Sequence, residues 1–277
     1  MMLRIDLHTH TSASDGIRSP QELVAEACAR RIDVLAITDH DTTAGIAPAL
    51  DAADACDLTL VPGVEISTHH PAGELHVLGY GIDASDARLE ALLASSRDSR
   101  VERAKRMVAR LAELGMPIAW QKVRALAGDG AVGRPHIAEE LRRAGYVNSI
   151  QEAFELYLGT GRPAYIPRKK VGPCDAITAI HGAGGVAVLA HPLAHLSVVS
   201  ELTMCGLDGL EAYYTGYREE ATSTIVETAQ KHDLICTGGS DFHGKSVIPE
   251  NVLGGVDVPE RCYEELCAAM ARVTRKS

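Results

Sequence analysis

"RIDLHTHTSASDG" (4–16) places His8, His10 and Asp15 directly behind a short apolar run. Residues i and i+2 of a strand point to the same side, so both histidines can converge on one place. Imidazole and carboxylate groups together suit Zn, Mn or Fe. The segment alone leaves a second interpretation open, because an H-x-H pair also occurs on surface strands and an aspartate before Gly16 is common in turns.

Length, composition and net charge limit the classes of protein to which the chain can belong. The chain has 277 residues, of which 46% are hydrophobic and only 4% aromatic, and its net charge is −10. This length suits one α/β barrel or a core with an insertion, and an aliphatic core suits its layered interior. The negative charge argues against bulk electrostatic binding of nucleic acid or membrane, although bound metal ions would create a local cationic site.

The seven cysteines are scattered and include no C-x-x-C motif. We interpret them as reduced thiols of a cytoplasmic protein. No signal peptide precedes Arg4, and no apolar run approaches the ~20 residues of a membrane span. We therefore expect a cytoplasmic protein without a membrane partner.

Short apolar runs alternate with helical stretches through most of the chain, which predicts parallel strands in an α/β fold. The first predicted helix (19–31) has Ser19 as its cap, Pro20 at its first position and Glu22 in a capping box. The predicted strands are 3–10, 33–40, 58–67, 74–82, 184–192, 206–216 and 234–244.

The middle of the chain contains no good strand pattern. Helices are predicted at 86–114, 118–127, 135–144 and 149–158, separated by glycine- and proline-containing breaks. We expect residues 84–161 to form a helical insertion that overhangs the active site. The barrel itself would then be discontinuous and comprise residues 1–83 and 162–277.

Side chains typical of metal ligands recur where the predicted strands end. In parallel α/β folds active sites are built at these ends. Taken singly, Glu65 could be half of an ion pair and His76 a satisfied core histidine. The recurrence favours metal binding, because burying so many unpaired polar groups is costly. The residues concerned are His8, His10, His40, Glu65, His76, His191, Asp241 and His243.

The pieces "DLHTHTSASDG", "ITDHDT", "GVEIS", "HVLGY", "AHP" and "GGSDFHG" occur in this order. With them the chain resembles the polymerase-and-histidinol-phosphatase (PHP) superfamily of metal-dependent phosphoesterases. "GRPHIA" (133–138) and "GLEAYY" (209–214) narrow the resemblance. They are similar to the branch that contains nucleoside 3′,5′-bisphosphate phosphatases and 5′→3′ exoribonucleases that trim short RNA.

The resemblance implies a distorted (βα)₇ barrel with a trinuclear site. It implies two to three divalent ions, with Mn as the first choice and Zn or Fe as alternatives. Carried over by motif, the first metal takes His8, His10, Glu65 and Asp241, the second takes Glu65, His76 and His191, and the third takes Asp15, His40 and His243.

The resemblance and metal chemistry together suggest a mechanism in which a hydroxide bridging two metals attacks phosphorus in line. Arg134 precedes Pro135 at a predicted helix start, a good cradle for phosphate, although a surface arginine at a cap is the alternative. His136 could orient substrate or protonate the leaving oxygen. The run Arg168–Lys170 could bind a second phosphate, although such runs are more often solvated. Its members are Arg168, Lys169 and Lys170.

The leading interpretation is a phosphomonoesterase that converts adenosine 3′,5′-bisphosphate to AMP and phosphate. Its expected partner is a small nucleotide, with short RNA ends as a second possibility and no protein partner. Alternatives are a 5′→3′ exoribonuclease, a histidinol-phosphate phosphatase, a C–N hydrolase of the amidohydrolase type and a non-catalytic metal-binding module. The "SDFH" ending and the nine filled ligand positions argue against the amidohydrolase alternative.

Overall fold

The chain forms two compact units in the computed structural model, which describes residues 3–128, 132–166, 171–244 and 247–274. The first, here the barrel unit, comprises Met1–Ala94 and Lys170–Ser277. The second, here the helical unit, comprises Ser95–Lys169. In the part of the chain that is described, no helix is long and apolar enough to cross a membrane.

The barrel unit is a mixed α/β fold around a nearly closed sheet of seven strands. Its strands follow each other around the sheet in chain order. Closure occurs between the first and last strands, where the backbone N–H of Leu7 donates to the Gly238 carbonyl at 3.1 Å. Gly239 permits this approach, since a Cβ there would lie 2.4 Å from the His8 nitrogen. The strands are β1 (Ile5–Asp6), β2 (Val34–Ile37), β3 (Thr59–His70), β4 (Gly73–Tyr80), β5 (Val186–Leu189), β6 (Gly209–Tyr214) and β7 (Ile235–Gly239).

Strand β4 runs against both of its neighbours, while the other neighbouring pairs of the sheet are parallel. The expectation of an entirely parallel sheet is therefore wrong for this strand. The physical reason is the connection: Pro71 and Ala72 form a tight turn, and a turn of this length can join only antiparallel strands. His76 lies within β4, opposite Ser67 of β3.

Helices cover the barrel and supply the apolar faces that pack on it. The predicted capping box of the first helix is confirmed, with Ser19 Oγ accepting from the Glu22 backbone at 3.2 Å and Glu22 Oε2 accepting from the Ser19 backbone at 2.9 Å. The helices of this unit are α1 (Pro20–Ala29), α2 (Ile46–Ala53), the start of α3 (Ala87–Glu113), α7 (Pro173–Gly182), a 3₁₀ segment (Pro192–Val198), α8 (Val199–Met204), α9 (Glu219–Lys231) and α10 (Glu260–Thr274).

The helical unit has a hydrophobic core of its own, built around Met107, Leu111, Val123, Ile137 and Leu141. It contains the rest of α3, then α4 (Trp120–Ala127), α5 (Arg134–Arg143), α6 (Ile150–Ala153) and a π-helical turn (Phe154–Leu158). The boundary between the units falls inside α3, after the predicted start of the insertion at residue 84. The reason is packing, since Leu89 and Leu93 belong to a barrel core cluster. The placement of this unit over the active site stays a prediction.

The structure pairs four cysteines, which corrects the expectation that all seven are reduced thiols. Cys28 is bonded to Cys56, with their Cα atoms 6.5 Å apart, and Cys174 is bonded to Cys205, with their Cα atoms 5.3 Å apart. Spacing in the sequence could not reveal this, because the members of the two pairs are 28 and 31 residues apart in the chain and meet only when it folds. The free cysteines are Cys236, Cys262 and Cys267.

Candidate metal centre

The two histidines of the opening motif converge as their spacing predicts. Thr9, between them, points away and donates its hydroxyl to the Ala36 carbonyl of β2 at 2.6 Å. His8 and His10 are thereby directed to the opposite side, and both are fully buried. Their Nε2 atoms each lie 3.1–3.3 Å from Glu65 Oε2 and Asp241 Oδ1.

Three groups of residues in the described part of the chain have ligand atoms close enough to share a metal ion. The first is His8, His10, Glu65 and Asp241; the second is His40, Glu65 and His76; the third is His10, Asp15, His40 and His243. The first coincides with the ligand set implied by the family resemblance. The second contains His40 where the resemblance implies His191, although His191 Nε2 lies 3.3 Å from Glu65 Oε1.

Glu65 is the residue shared by the first and second groups. Its Oε1 faces His76 Nδ1 at 2.8 Å, and its Oε2 faces His40 Nδ1 at 3.1 Å in addition to the nitrogens of His8 and His10. A carboxylate with one oxygen toward each side is suited to bridge two cations. Only 1% of its side chain is exposed, so nearly all of its neutralisation must come from these neighbours.

The donor atoms of the cluster fit a divalent ion. Both ring nitrogens of His10, His8 Nε2, Asp15 Oδ1 and Glu65 Oε2 are buried and have no hydrogen-bond partner of normal geometry. Buried polar atoms are costly unless they are satisfied, and a shared cation would satisfy several of them at once. Mixed imidazole and carboxylate donors suit Mn, Zn or Fe.

The electrostatics of the cluster couple histidine protons to carboxylate charge. Burial opposes charge on His10, but Asp241 and Glu65 raise the pKa of His10 to about 10. Burial opposes charge on His76 as well, and Glu65 together with Glu74 raises its pKa to about 9. Burial would raise the pKa of Glu65, yet the surrounding histidines hold it well below its usual range. Positive charge beside Glu65, from histidine protons or from a bound cation, therefore stabilises its buried carboxylate.

The cluster opens to solvent on one side. The side chains of Asp15, His76 and His191 are 20%, 21% and 29% exposed, whereas those of His8 and His10 are fully enclosed. A molecule arriving from water would therefore meet the first three residues before the inner pair.

Two buried carboxylates outside the cluster hold the loops that carry its ligands. Asp39 accepts from the backbone and hydroxyl of Thr11, each at 2.7 Å, and from Ser14 Oγ at 2.6 Å, which shapes the loop before Asp15. Asp6 accepts from the backbone and hydroxyl of Ser240 at 2.8 and 2.6 Å. Burial raises the pKa of both carboxyls. Sequence reasoning missed them, although each lies next to a ligand motif.

Two residues of β6 contact the ligands directly. Glu211 Oε1 lies 2.8 Å from His8 Nδ1, and its Oε2 accepts from the His191 backbone N–H at 2.8 Å. The Tyr214 hydroxyl donates to Asp241 Oδ2 at 2.8 Å, which leaves Oδ1 toward His8. The sequence signal was available in "GLEAYY", which narrowed the family resemblance without assigning these residues a role.

Two of the five predicted substrate-binding residues, Arg134 and His136, are described by the structure, and both belong to the helical unit. Arg134 and His136 share the first turn of α5. The Arg134 guanidinium carbon lies 5.6 Å from the centre of the Phe154 ring, and His136 Nδ1 accepts from the Gly133 N–H at 3.0 Å. The other three predicted residues, Arg168, Lys169 and Lys170, lie outside the described residues.

The sequence is similar to known proteins over most of its length. The PHP domain family model matches residues 6–109. A 5′-3′ exoribonuclease of Haemophilus influenzae is 38% identical, over 88% of this chain and 91% of its own length. A 3′,5′-nucleoside bisphosphate phosphatase of Chromobacterium violaceum is 32% identical, over 99% of both chains.

A solved structure gives the same result for the fold. It comes from Bifidobacterium adolescentis, is assigned as a metal-dependent phosphoesterase and is 34% identical, with a TM-score of 0.86 over 96% of both chains. These likenesses cover both the sequence and the fold. The chain therefore belongs to the PHP family of metal-dependent phosphoesterases.

Proposed function

We propose that this phosphoesterase removes the 3′-phosphate from nucleoside 3′,5′-bisphosphates and converts adenosine 3′,5′-bisphosphate to AMP. The observation that carries the proposal is the buried centre in which Glu65 belongs to two overlapping ligand groups. For the substrate, the support is the bisphosphate phosphatase that matches the chain from end to end. In the reaction a water oxygen bonds to phosphorus, the bond from phosphorus to O3′ breaks, and O3′ takes up a proton.

We propose two to three divalent ions at this centre, with Mn as the first choice and Zn or Fe as alternatives. Three ligand groups with shared members support this number. Bound divalent ions supply Lewis-acid polarisation of the phosphoryl group and make water nucleophilic near neutral pH. The ligands would be His8, His10, Asp15, His40, Glu65, His76, His191, Asp241 and His243.

The protein's own residues orient the centre. Tyr214 holds one oxygen of Asp241, so the other oxygen keeps a fixed direction toward His8. Asp39 holds the loop that carries Asp15. Fixed donors of this kind lower the reorganisation needed when charge develops on the phosphoryl oxygens.

For the phosphate that does not react, the proposed contacts are side chains that donate hydrogen bonds. Arg134 stands at the N-terminus of α5, where a guanidinium and backbone N–H groups together suit a phosphate. His136 uses Nδ1 to accept from Gly133, so its neutral ring carries the proton on Nε2 and can donate it to a substrate oxygen. Arg168, Lys169 and Lys170 are further candidates. Binding energy from this remote phosphate would fix the reacting one in line.

The test is a comparison of phosphate release from adenosine 3′,5′-bisphosphate, 3′-AMP, 5′-AMP and histidinol phosphate, with product identity by chromatography. We expect the bisphosphate to be preferred and 5′-AMP to be the product. Glu65→Gln serves as the inactive control against contaminating phosphatases. Equal rates on 5′-AMP and the bisphosphate, or preference for histidinol phosphate, would contradict the substrate assignment. Metal binding without any hydrolysis would favour a non-catalytic module.

A second candidate is stepwise removal of nucleotides from short RNA that carries a 5′-phosphate. The exoribonuclease of Haemophilus influenzae supports it, because its 38% identity exceeds that of the bisphosphate phosphatase. A short 5′-phosphorylated oligoribonucleotide therefore belongs in the same panel. Release of mononucleotides at a kcat/KM above that for the bisphosphate would make RNA the main substrate.

A further inference from the structure

Glu211 is a buried carboxylate that touches two histidines of the metal centre through its two oxygens. It is fully buried in β6, with Oε1 on His8 Nδ1 and Oε2 on the His191 backbone N–H, both at 2.8 Å. We propose that Glu211 is a positioning residue that holds the proton of His8 on Nδ1, directs Nε2 to the metal, and fixes the backbone from which His191 reaches Glu65. This inference rests on the metal centre of the proposed function.

The contact with Glu211 fixes which nitrogen of His8 carries the proton. A neutral imidazole has one donor nitrogen and one acceptor nitrogen, whereas a carboxylate only accepts. Because Nδ1 faces Glu211, Nδ1 must carry the proton in the metal-loaded ring. The lone pair of Nε2 is then directed toward Glu65 Oε2 and Asp241 Oδ1, each 3.3 Å away. A carboxylate behind a histidine ligand also makes the ring a stronger base toward the metal.

The backbone of His191 has an uncommon conformation that Glu211 contacts directly. The residue follows β5 with φ 33° and ψ 54°, a left-handed conformation that is uncommon for residues other than glycine. Its N–H is the donor to Glu211, and its ring reaches Glu65 Oε1 at 3.3 Å. The hydrogen bond from Glu211 therefore secures an uncommon conformation that the ring needs to face the cluster.

The chain offers a second carboxylate with similar partners as a control. Asp208, just before β6, accepts from His181 Nε2 at 2.7 Å and from the Ala187 backbone N–H of β5 at 2.8 Å. Both carboxylates thus bind one imidazole and one backbone N–H, Glu211 through separate oxygens and Asp208 through Oδ2 alone. Among the described residues, however, the imidazole partner of Asp208, His181, belongs to none of the three ligand groups, whereas His8, the partner of Glu211, belongs to the first. Only the loss of Glu211 should therefore weaken metal binding.

The experiment compares Glu211→Gln and Asp208→Asn with the wild type, using Zn²⁺ as the probe and no substrate. The glutamine has one carbonyl oxygen, so it can accept from His8 or from His191 but not from both, and its amide then opposes the remaining N–H. We expect Zn²⁺ affinity to fall 10- to 100-fold in Glu211→Gln and to change less than twofold in Asp208→Asn. Competition with a chelator measures both.

A second readout reports the His8 proton itself. In Zn²⁺-loaded protein labelled with ¹⁵N-histidine, we expect the wild type to show His8 bound through Nε2, with a slowly exchanging proton on Nδ1. That proton signal should be lost or shifted in Glu211→Gln and retained in Asp208→Asn. Coordination of zinc through Nδ1 in the wild type would overturn the inference without any variant, so a Glu211→Gln protein that fails to fold leaves the test intact.

Two further outcomes are decisive. A Glu211→Gln protein with a lower thermal midpoint but wild-type Zn²⁺ affinity would show a merely structural role and overturn the proposal. Absence of hydrolysis by the wild type would instead overturn the proposed function, because neither zinc affinity nor the histidine spectrum depends on turnover.

Discussion

Replacement of Glu65 by glutamine should disturb two parts of the metal centre at once. Glu65 is a member of two ligand groups, with Oε1 toward His76 and Oε2 toward His8, His10 and His40. The substitution keeps the volume of the side chain but removes its charge and replaces one accepting oxygen by an amide. Asp15→Asn removes the same charge from a residue that belongs to one group only, so it is the matched comparison.

The expected loss of metal-binding free energy follows from the number of ligand groups that lose an anionic oxygen. Interactions with a charged group are worth about 1.5–3 kcal/mol each. Two such losses amount to about 3–6 kcal/mol, which is a decrease of about 10²–10⁴-fold in the product of two binding constants. Asp15→Asn should lose about half of this free energy. Its carboxylate is also 20% exposed, so water can replace part of the interaction.

The assay measures bound metal per chain after gel filtration, chelator competition for each variant, and turnover of adenosine 3′,5′-bisphosphate. We expect Glu65→Gln to lose more metal and more turnover than Asp15→Asn. Wild-type metal content in Glu65→Gln would refute the bridging role of Glu65. A larger loss of metal or turnover in Asp15→Asn than in Glu65→Gln would refute the expectation that a residue shared by two ligand groups matters more.

Three other predictions concern protons, substrate and covalent links. Carboxylates raise the pKa of His10 to about 10 and of His76 to about 9, so a binding metal must displace protons near neutral pH. Apparent Zn²⁺ affinity should therefore rise between pH 7 and 9 by about tenfold per pH unit for each proton displaced. A flat pH profile in chelator competition contradicts this expectation. Arg134→Ala should keep its metal and lower kcat/KM for the bisphosphate roughly 10²-fold, and wild-type kinetics on every substrate would exclude Arg134 from binding. Reduction of the Cys28–Cys56 bond should lower the free energy of unfolding by about 2–4 kcal/mol in urea titrations without changing metal content. An unchanged urea midpoint would indicate that these two cysteines are free thiols.

Much of the barrel follows from local patterns, but the direction of one strand does not. Alternating apolar runs predict strands whichever way they run, so "ELHVLGY" carries no mark of its reversal. The short turn at Pro71 and Ala72 was the available signal, since a parallel crossover needs a dozen or more residues. The boundary inside α3 was equally hidden, because a continuous helix does not show where its packing partner changes.

The metal ligands are easier to predict from the sequence than the residues that hold them in place. His8 with His10 and Asp241 with His243 stand in short motifs, so spacing alone brings each pair to one face. Glu211 has no such partner in the sequence, since its contacts to His8 and His191 cross from β6 to two other strands. Cross-barrel contacts of this kind depend on register and closure, which local patterns do not encode.

The charge balance of the centre explains why protons and metal ions compete there. Glu65 and Asp241 are buried among histidines, and those neighbours hold the pKa of both carboxyls well below the usual range. Without metal, protons on His10 and His76 supply the balancing charge; the stability they contribute is complete below pH 6.5 and is lost as the pH rises through about 9–10. Divalent ions supply the same balance without that limit. A bound metal therefore replaces a charge that the fold already requires, and its stabilising effect grows as the pH rises.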